Sequence, residues 1–398
     1  MIPRRDVKPY GGVTYYIFKW FVNLFAGVDY SLKFKRSLEK LFGGTVFLLA
    51  RGRFAFDLIF RSVNHNKNDE IIVPNYYLKE LIPIFKNEGL KVKYCDINLN
   101  DYSYNIKELL SQINERTRYV IVSHIFGICG DISNIITKIK KRNKNILIIE
   151  DCAHSFGSEY NGKNLGTFGD FALFSFDYIK PLNLLGGGAL LVNNKKYLKK
   201  IHSNYSMFNK PRTINTMRKI GYYYFQMIIL HSPLFFLLKI ALRNKTLHTI
   251  IKKIHKTDSN MPEKLSNFQS LLGYYQLHNL SKKNARLEKI REKYINLIKN
   301  ISSIKIIDTG FCSKYSYYSF LVISEKDSSR IEKGMYASGI DVGIKGEVMD
   351  VCSNDKDLYP NSIMLYNSII QLPFYYSLND KNILKISDAL KKTAIKWI

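Results

Sequence analysis

Between residues 40 and 195 the chain alternates short apolar runs with amphipathic stretches, and this pattern restricts the fold more than any other feature. Helical patterns at 106–113 and 132–141 separate apolar runs that are short enough to be strands. The candidate strands lie at 70–73, 92–94, 119–122, 146–149, 171–176 and 189–192. Strands that alternate with helices predict a largely parallel sheet with both faces buried. We therefore predict an α/β fold in which ligands bind at the carboxyl ends of the strands.

The chain has 398 residues, which is long enough for two domains. A long amphipathic helix is predicted over 265–300. Beyond it, the pattern indicates strands at 317–323 and 368–372 and helices at 328–338 and from 380 onward. The predicted divisions are an N-terminal basic and aromatic segment over 1–37, a large domain over 38–260 and a smaller C-terminal α+β domain over 261–398.

A basic and apolar insertion at about 200–258 interrupts the alternation. No acidic residue occurs from 178 to 257, while fourteen Lys or Arg lie between Lys195 and Lys256. Its apolar run is broken by Gln226, His231 and Pro233, whereas a membrane span needs about 20 uninterrupted apolar residues. We predict a bent pair of short helices there. These pack on the protein itself or its dimer mate, or they dock residues 218–243 against anionic lipid headgroups.

The net charge of +27 leaves a nucleic-acid-binding function open as an alternative, but no recognition module with interleaved aromatic residues is evident. Five scattered cysteines without a CxxC pair argue against a disulfide framework and are typical of a reducing cytosol. Residues 1–29 lack the small-residue cleavage site of a signal peptide. We predict a cytoplasmic protein, in peripheral contact with the inner face of the membrane if the insertion docks there, and no metal site.

Three chemical groups follow two of the predicted strands. Asp151 follows the run 146–149 after one residue, and Ser175 is the residue before the last in the run 171–176. Lys180 follows, and the glycines 186–188 come shortly after it. A carboxylate, a hydroxyl and an amine at the edge of one sheet are what a pyridoxal phosphate site requires. The amine bonds the cofactor, the carboxylate keeps the pyridine nitrogen protonated and the hydroxyl binds a phosphate oxygen.

Longer motifs extend this pattern along almost the whole chain. The most specific block runs from Ile149 to Asp170, and Phe174-Ser175-Phe176 is followed four residues later by Lys180. Supporting matches are Ile72–Tyr76, Asp96 with Tyr104–Ile106, His124–Gly127, Leu265–Gln269, Gly339-Ile340 and Leu372-Pro373. In this order the motifs resemble the DegT/DnrJ/EryC1/StrS family of sugar aminotransferases. The resemblance implies a fold-type I transferase with a mainly parallel seven-stranded sheet, which works as a homodimer with active sites at the subunit interface.

The resemblance also assigns roles to residues of this chain. It implies that Lys180 is the Schiff-base lysine and proton carrier, and that Asp151 pairs with the pyridine nitrogen. It implies that His154 contacts the ring or its hydroxyl, and that Ser175 binds the phosphate. For Lys180 the alternative is a solvated surface lysine, for Asp151 a helix cap and for His154 a buried core histidine.

The chain departs from the family pattern at several positions. The phosphate turn of the family, Ser-Gly-Thr, corresponds to residues 51–53, so Gly52 and Arg53 are expected to bind phosphate at the start of a helix. Leu78 stands where an aromatic residue is common, which leaves Tyr76 or Tyr77 to stack on the ring. The asparagine segment that reaches the partner subunit, expected near 260–264, is not recognisable. These departures concern the substrate more than the cofactor.

The family resemblance implies glutamate as the amino donor and a nucleotide-linked keto-sugar as the acceptor. The product would be an amino sugar for surface polysaccharide such as lipopolysaccharide. Two alternatives remain open at this point. One is a family member that binds pyridoxal phosphate but has diverged catalytically, and the other is a basic regulatory protein that binds nucleic acid.

Overall fold

The computed structural model describes residues 1–25, 27–230, 232, 235, 261–325 and 327–395. A seven-stranded sheet forms the centre of the large domain, with the strand order β1-β9-β8-β5-β4-β2-β3. The strands are β1 Thr45–Leu49, β2 Glu70–Pro74, β3 Lys91–Cys95, β4 Thr117–Ser123, β5 Leu147–Asp151, β8 Phe171–Ser175 and β9 Gly188–Val192. All neighbouring pairs are parallel except those that involve β9. The predicted α/β fold with a mainly parallel sheet is confirmed.

Helices cover both faces of this sheet. Those of the large domain and the N-terminal segment are α1 Val13–Phe25, α2 Tyr30–Phe42, α3 Phe54–Ser62, α4 Ile82–Asn87, α5 Ile106–Gln112, α6 Ile132–Arg142, α7 Leu198–Ser206 and α8 Thr213–Leu230. Alternate residues of each strand join one of two apolar clusters, so that Ile148 lies on one face of the sheet and Ile149 on the other. This division explains why the strands are apolar throughout rather than alternating.

A second core forms the C-terminal part. Its sheet has the order β10-β12-β14-β13, with β10 Ile304–Ile306, β12 Phe320–Ser324, β13 Gly343–Ile344 and β14 Ile369–Leu372. The helices α9 Asn267–His278, α10 Leu280–Ile298, α11 Ser328–Ala337, α12 Pro360–Ser368 and α13 Asp380–Ile395 belong to the same half of the chain. A small sheet of β6 Glu159–Tyr160, β7 Lys163–Asn164 and β11 Cys312–Lys314 joins the two halves. The domain limits stay a prediction, and α2 crosses the predicted limit at residue 37.

Two elements differ from the sequence prediction. The predicted helix over 265–300 is wrong as a single helix, because the chain turns at Asn279 between α9 and α10. α9 packs on α2 of the large domain whereas α10 packs on α13, so the turn lets the chain change domains. The prediction also omits β1, which follows α2 after only Gly43 and Gly44.

The insertion contains the end of α7 and the helix α8 within the described residues. α8 is a single helix over Thr213–Leu230. The second predicted helix of the pair falls almost entirely on residues outside the described part of the chain. Among the described helices, none combines the length and apolarity needed to cross a bilayer.

Candidate active site

Strand polarity brings Asp151 and Ser175 to the same edge of the large sheet. β5 and β8 are parallel neighbours, and Asp151 lies opposite Leu173 in their register. Asp151 is the last residue of β5 and Ser175 the last residue of β8. Because parallel strands end at the same edge, the sequence order alone predicts this placement.

Asp151 is a buried carboxylate with two hydrogen-bond donors. Its Oδ2 accepts a hydrogen bond of 2.5 Å from the Tyr77 hydroxyl, and its Oδ1 accepts one of 3.0 Å from the Ala153 amide. Burial raises the pKa of Asp151, while these two donors and the charge of Lys180 act in the opposite direction. A positively charged group beside this carboxylate would therefore stabilise its ionised form.

Glu150 holds the backbone that follows Asp151. Its two oxygens accept hydrogen bonds of 2.8, 2.7 and 2.6 Å from the amides of Gly166, Phe168 and Gly169. His124 Nε2 lies 3.0 Å from Oε2 of the same carboxylate. Among the described residues, one cluster has side chains that could bind a metal ion: His124, Glu150 and Cys152. The oxygens of Glu150, however, already accept the hydrogen bonds given above. We therefore interpret this cluster as a structural anchor.

Lys180 lies in the loop between β8 and β9, which is fastened at both ends. The Phe176 amide donates to the Gly187 carbonyl at 2.9 Å and closes the base of the loop. From α9, Gln269 Nε2 donates to the carbonyls of Gly186 and Leu184 at 2.7 and 3.1 Å. The loop thus presents Lys180 from a fixed backbone rather than from a free surface segment.

Lys180 is close to both Asp151 and His154. Its positive charge contributes to the pKa of each, lowering both. Its Nζ also lies 5.1 Å from the centroid of the Tyr318 ring. The structure thus brings the predicted amine, carboxylate and imidazole together at one end of the sheet.

His154 is held as a neutral ring. Burial, with the charges of Lys180 and Arg5, lowers the pKa of His154 well below its ordinary value. Its Nδ1 accepts a hydrogen bond of 3.2 Å from the Phe126 amide, so the proton of the neutral ring is on Nε2. Tyr318 stacks on the imidazole with a centroid distance of 4.0 Å and an interplanar angle of 12°.

The Phe126 amide can reach His154 because its backbone is left-handed. Phe126 has φ of 61°, a conformation that L residues adopt at a cost. Tyr315 stabilises it by donating its hydroxyl to the Phe126 carbonyl at 2.8 Å, and Ser158 donates to the Gly127 carbonyl at 2.9 Å. This strained turn, which follows β4, sets the orientation of the imidazole.

Gly52 and Ser175 lie side by side in a close backbone approach. A Cβ on Gly52 would lie 3.2 Å from the Phe174 carbonyl oxygen and 3.3 Å from the Ser175 Cβ. A Cβ on Gly188 would lie 2.6 Å from the Gly52 nitrogen. Arg53 is exposed and immediately precedes α3, where the positive end of the helix dipole favours an anion. The predicted phosphate residues Gly52, Arg53 and Ser175 are thus neighbours.

The two predicted ring-stacking tyrosines point to different places. Tyr77 reaches Asp151, as described above. Tyr76 is completely buried against Phe126, with the ring centroids 6.0 Å apart, in an apolar cluster that includes Met349 and Val351. Burial raises the pKa of Tyr76 well above its ordinary value. Neither tyrosine is near His154 in the way that Tyr318 is, and their roles toward a cofactor stay predictions.

Sequence reasoning did not identify Tyr318 or Arg5 as site residues. Tyr318 precedes β12 of the small domain, and Arg5 lies in the N-terminal segment. Neither belongs to a local motif, so only an expectation of which segments meet could have found them. Gln269 belongs to the motif Leu265–Gln269, but its hydrogen bonds to the Lys180 loop depend on how α9 packs.

The assembled residues fit pyridoxal phosphate. The close approach of Gly52 and Gly188 leaves no room for a larger residue at Gly188, and it holds the start of α3 beside Ser175 as a cradle in which a phosphate would bind. Asp151 supplies a buried anion for a protonated ring nitrogen, and Lys180 supplies an amine on the same side of the sheet. No residue in this group conflicts with the predicted cofactor.

Comparison with known proteins gives the same family. Residues 26–391 match the model of the DegT/DnrJ/EryC1/StrS aminotransferase family. GDP-perosamine synthase of Escherichia coli O157:H7 is 30% identical over 147 residues, which are 37% of this chain and 40% of that protein. A dTDP-3-amino-3,6-dideoxy-alpha-D-galactopyranose transaminase of Aneurinibacillus thermoaerophilus is 34% identical over 166 residues, 41% of this chain and 45% of that protein. The chain thus matches under half the length of these two relatives.

Solved structures share the fold over nearly the whole chain. Spr1654 of Streptococcus pneumoniae in its PLP form superposes with a TM-score of 0.74 at 18% identity and covers 98% of both chains. DesI in the presence of its TDP-sugar product superposes with a TM-score of 0.76 at 14% identity, over 100% of this chain and 94% of the other. Given the match from residue 26 to residue 391, this chain belongs to the DegT/DnrJ/EryC1/StrS aminotransferase family.

Proposed function

We propose that this protein is a pyridoxal-phosphate-dependent aminotransferase that transfers an amino group from glutamate to a nucleotide-linked keto-sugar. The observation that carries the proposal is the position of Lys180, whose charge acts on both Asp151 and His154 from a fastened loop. The relatives named for amino-sugar transfer support the acceptor class. The product would enter surface polysaccharide such as lipopolysaccharide.

The residues of this chain divide the work of holding the cofactor. Gly52, Arg53 and Ser175 would hold its phosphate, and Asp151 would keep the ring nitrogen protonated. When bound, pyridoxal phosphate supplies an electron sink for the carbon that loses its proton. The neutral His154 adds no second positive charge beside Lys180, and its Nε2–H can donate a hydrogen bond at the ring.

Lys180 serves as the proton carrier in both halves of the reaction. When its Nζ is neutral, it can take the proton from the α-carbon of glutamate and return it on the cofactor side. The reverse transfer then places a proton on the sugar carbon that receives the amine. The burial of Asp151 keeps water from weakening its interaction with the ring nitrogen.

The test is direct. The purified protein should be yellow, and borohydride should abolish the visible band and leave the cofactor covalently attached. Peptide mass spectrometry should find the attachment at Lys180. A colourless protein that does not bind added pyridoxal phosphate would contradict the proposal, and a yellow protein inert toward glutamate would favour the catalytically divergent alternative.

We also propose that the enzyme works as a cytoplasmic homodimer. The family resemblance supports this, because it implies active sites at the subunit interface. Light scattering of the purified protein should report twice the chain mass. A monomer at all protein concentrations would contradict it.

We further propose that residues 218–243 contact the inner membrane surface. Support comes from α8, where Phe225 and Ile228 are 58% and 67% exposed, and from the absence of acidic residues over 178–257. α1 lies next to α8, since the hydroxyls of Thr14 on α1 and Tyr224 on α8 are 2.9 Å apart. Phe18 on α1 is 69% exposed. Most of the range beyond Leu230 lies outside the described residues.

Flotation with anionic vesicles tests this contact. The intact protein should float, whereas a protein that lacks 218–243 should not. The variants Phe225→Glu and Ile228→Glu change only exposed side chains and should weaken flotation without unfolding the protein. Equal behaviour of the intact and shortened proteins would refute the contact.

A further inference from the structure

The N-terminal segment of residues 2–8 runs between the two domains and is attached to both. Ile2 forms a parallel bridge with Ile340 and donates its amide to the Gly339 carbonyl at 2.8 Å. At the other end, Asn183 of the Lys180 loop donates its Nδ2 to the Val7 carbonyl at 2.8 Å. Ile2 belongs to the small-domain core and Val7 to the large-domain core. The residues between them are therefore held in place.

Arg5 lies in this segment and lines a cleft together with Lys180. The cleft lies between the two domains and opens to solvent. Lys8, Lys283 and Tyr318 also line it. Asp6 is the acidic residue in the lining, and its carboxylate is already engaged by the Ser377 hydroxyl at 2.7 Å and the Lys8 amide at 3.0 Å. The cleft is strongly cationic.

Within the described residues, two cations of the cleft, Arg5 and Lys283, are hydrogen-bonded to neutral acceptors, while Glu347 and Asp341 act on Arg5 through their charge alone. Arg5 donates from Nη2 to Gln371 Oε1 at 2.8 Å, and Lys283 donates from Nζ to the Pro181 carbonyl at 2.5 Å. Among the residues that the structure describes, neither forms an ion pair with a carboxylate. Burial lowers the pKa of Arg5 and brings that of Lys283 to about 8. A bound anion would restore the stability of both charges.

We propose that Arg5, supported by Lys283, binds the α-carboxylate of the amino donor. This inference rests on the proposed aminotransferase function and specifies which residues recognise its first substrate. The planar guanidinium, with one edge fixed by Gln371, presents further N–H donors to a carboxylate in a two-point geometry. Lys283 adds a second positive charge to the same cleft.

The shared lining of Arg5 and Lys180 favours the amino donor over the sugar nucleotide as the ligand of Arg5. In an amino acid the carboxylate is attached to the carbon that loses its proton, so it must lie beside the group that takes that proton. Arg5 meets this condition, because it lines the same cleft as Lys180 and its charge acts on the same His154 ring. The diphosphate of a sugar nucleotide is separated from the keto carbon by atoms of the sugar ring.

The test measures binding rather than turnover. The cofactor-loaded full-length protein is titrated calorimetrically with glutarate, a dicarboxylate that has no amine to react, and separately with UDP. Arg5→Gln should weaken glutarate binding by about 10- to 100-fold, the loss expected for a charge-assisted carboxylate contact, and should leave UDP binding unchanged. Arg5→Lys keeps the positive charge but loses the planar guanidinium group. Its affinity for glutarate should lie between those of the wild type and Arg5→Gln.

Arg4→Gln is the matched control. Arg4 is in the same segment and pairs with Glu347 and Asp341, but it does not line the cleft. Its charge acts on Arg5 only through space, so Arg4→Gln should change glutarate binding far less than Arg5→Gln does. Wild-type glutarate affinity in Arg5→Gln would overturn the inference. Weakened UDP binding with unchanged glutarate binding would also overturn it, because it would assign Arg5 to the diphosphate. The cofactor spectrum is recorded first: a protein without cofactor refutes the proposed function, whereas a yellow protein with unaltered glutarate affinity refutes only this inference.

Discussion

Gly188→Ala tests whether the close approach of β9 to residues 51–53 builds the phosphate cradle. Gly188 has an ordinary backbone conformation, so alanine adds no torsional cost and only the methyl group matters. That methyl would lie 2.6 Å from both the Gly52 nitrogen and the Phe174 carbonyl oxygen, whereas ordinary contacts begin at 3.4 Å. The nearest atom, the Gly52 Cα, would be only 2.4 Å from the methyl, so the turn at Gly52 must move by about 1.0 Å.

A shift of that size would break hydrogen bonds to a bound phosphate. A bond of about 2.9 Å would lengthen to about 3.9 Å, which is outside the useful range. Loss of one charge-assisted bond costs about 1.5–3 kcal/mol, which corresponds to a roughly 10- to 100-fold rise in the dissociation constant for pyridoxal phosphate. Overpacking should also destabilise the cofactor-free protein by about 1–3 kcal/mol.

Fluorescence titration of the cofactor-free protein with pyridoxal phosphate measures the first effect, and thermal unfolding measures the second. Gly221→Ala is the matched control, because nothing lies within 4 Å of its added methyl group in α8. It should stabilise the helix by about 0.5–1 kcal/mol and leave cofactor affinity unchanged. A folded Gly188→Ala protein with wild-type affinity would refute the cradle.

Three further predictions concern single side chains. Lys180→Ala should abolish transamination in an activity assay. A titration should show that the variant retains part of its affinity for the cofactor through the phosphate contacts. Turnover at the wild-type level would contradict the assignment. Tyr77→Phe should raise the pKa of Asp151 further, because it removes a hydrogen-bond donor that lowers this pKa. The carboxylate must be ionised to work, so the acidic limb of the pH–rate profile should move to higher pH, and an unmoved limb would contradict this. Glu150→Gln should destabilise the protein by about 3–5 kcal/mol in chemical unfolding. The reason is that an amide has one acceptor oxygen, whereas both carboxylate oxygens of Glu150 are bonded to His124 and to three backbone amides. A loss of stability below about 1 kcal/mol would show that the anchor is dispensable.

Much of the fold could be predicted from the sequence because its signals are local. The apolar runs at 146–149 and 171–176 become β5 and β8, and the helices at 106–113 and 132–141 are found within one residue of their predicted ends. The sequence pattern does not predict β1, because the apolar run of this strand follows the amphipathic helix α2 almost without a break. The turn at Asn279 escaped because the residues on both sides continue a helical pattern, and only the separate packing of α9 and α10 decides that the helix is interrupted.

The sequence by itself determined which groups end at the active edge of the sheet. Asp151 and Ser175 each close an apolar run, and parallel strands connected by helices must end on the same side, so their proximity follows from order along the chain. Lys180 comes with them because the loop that carries it starts from Phe176, directly after β8.

Only the tertiary structure decided what surrounds that edge. Arg5 precedes Lys180 by 175 positions and Tyr318 follows it by 138, and neither carries a local signal. They reach the site because residues 2–8 bridge the two cores and because Leu321 of β12 packs in one apolar cluster with Tyr76 and Phe126 of the large domain. Contacts of such long sequence separation depend on how whole domains bury their apolar faces against one another, which no pattern of neighbouring residues encodes.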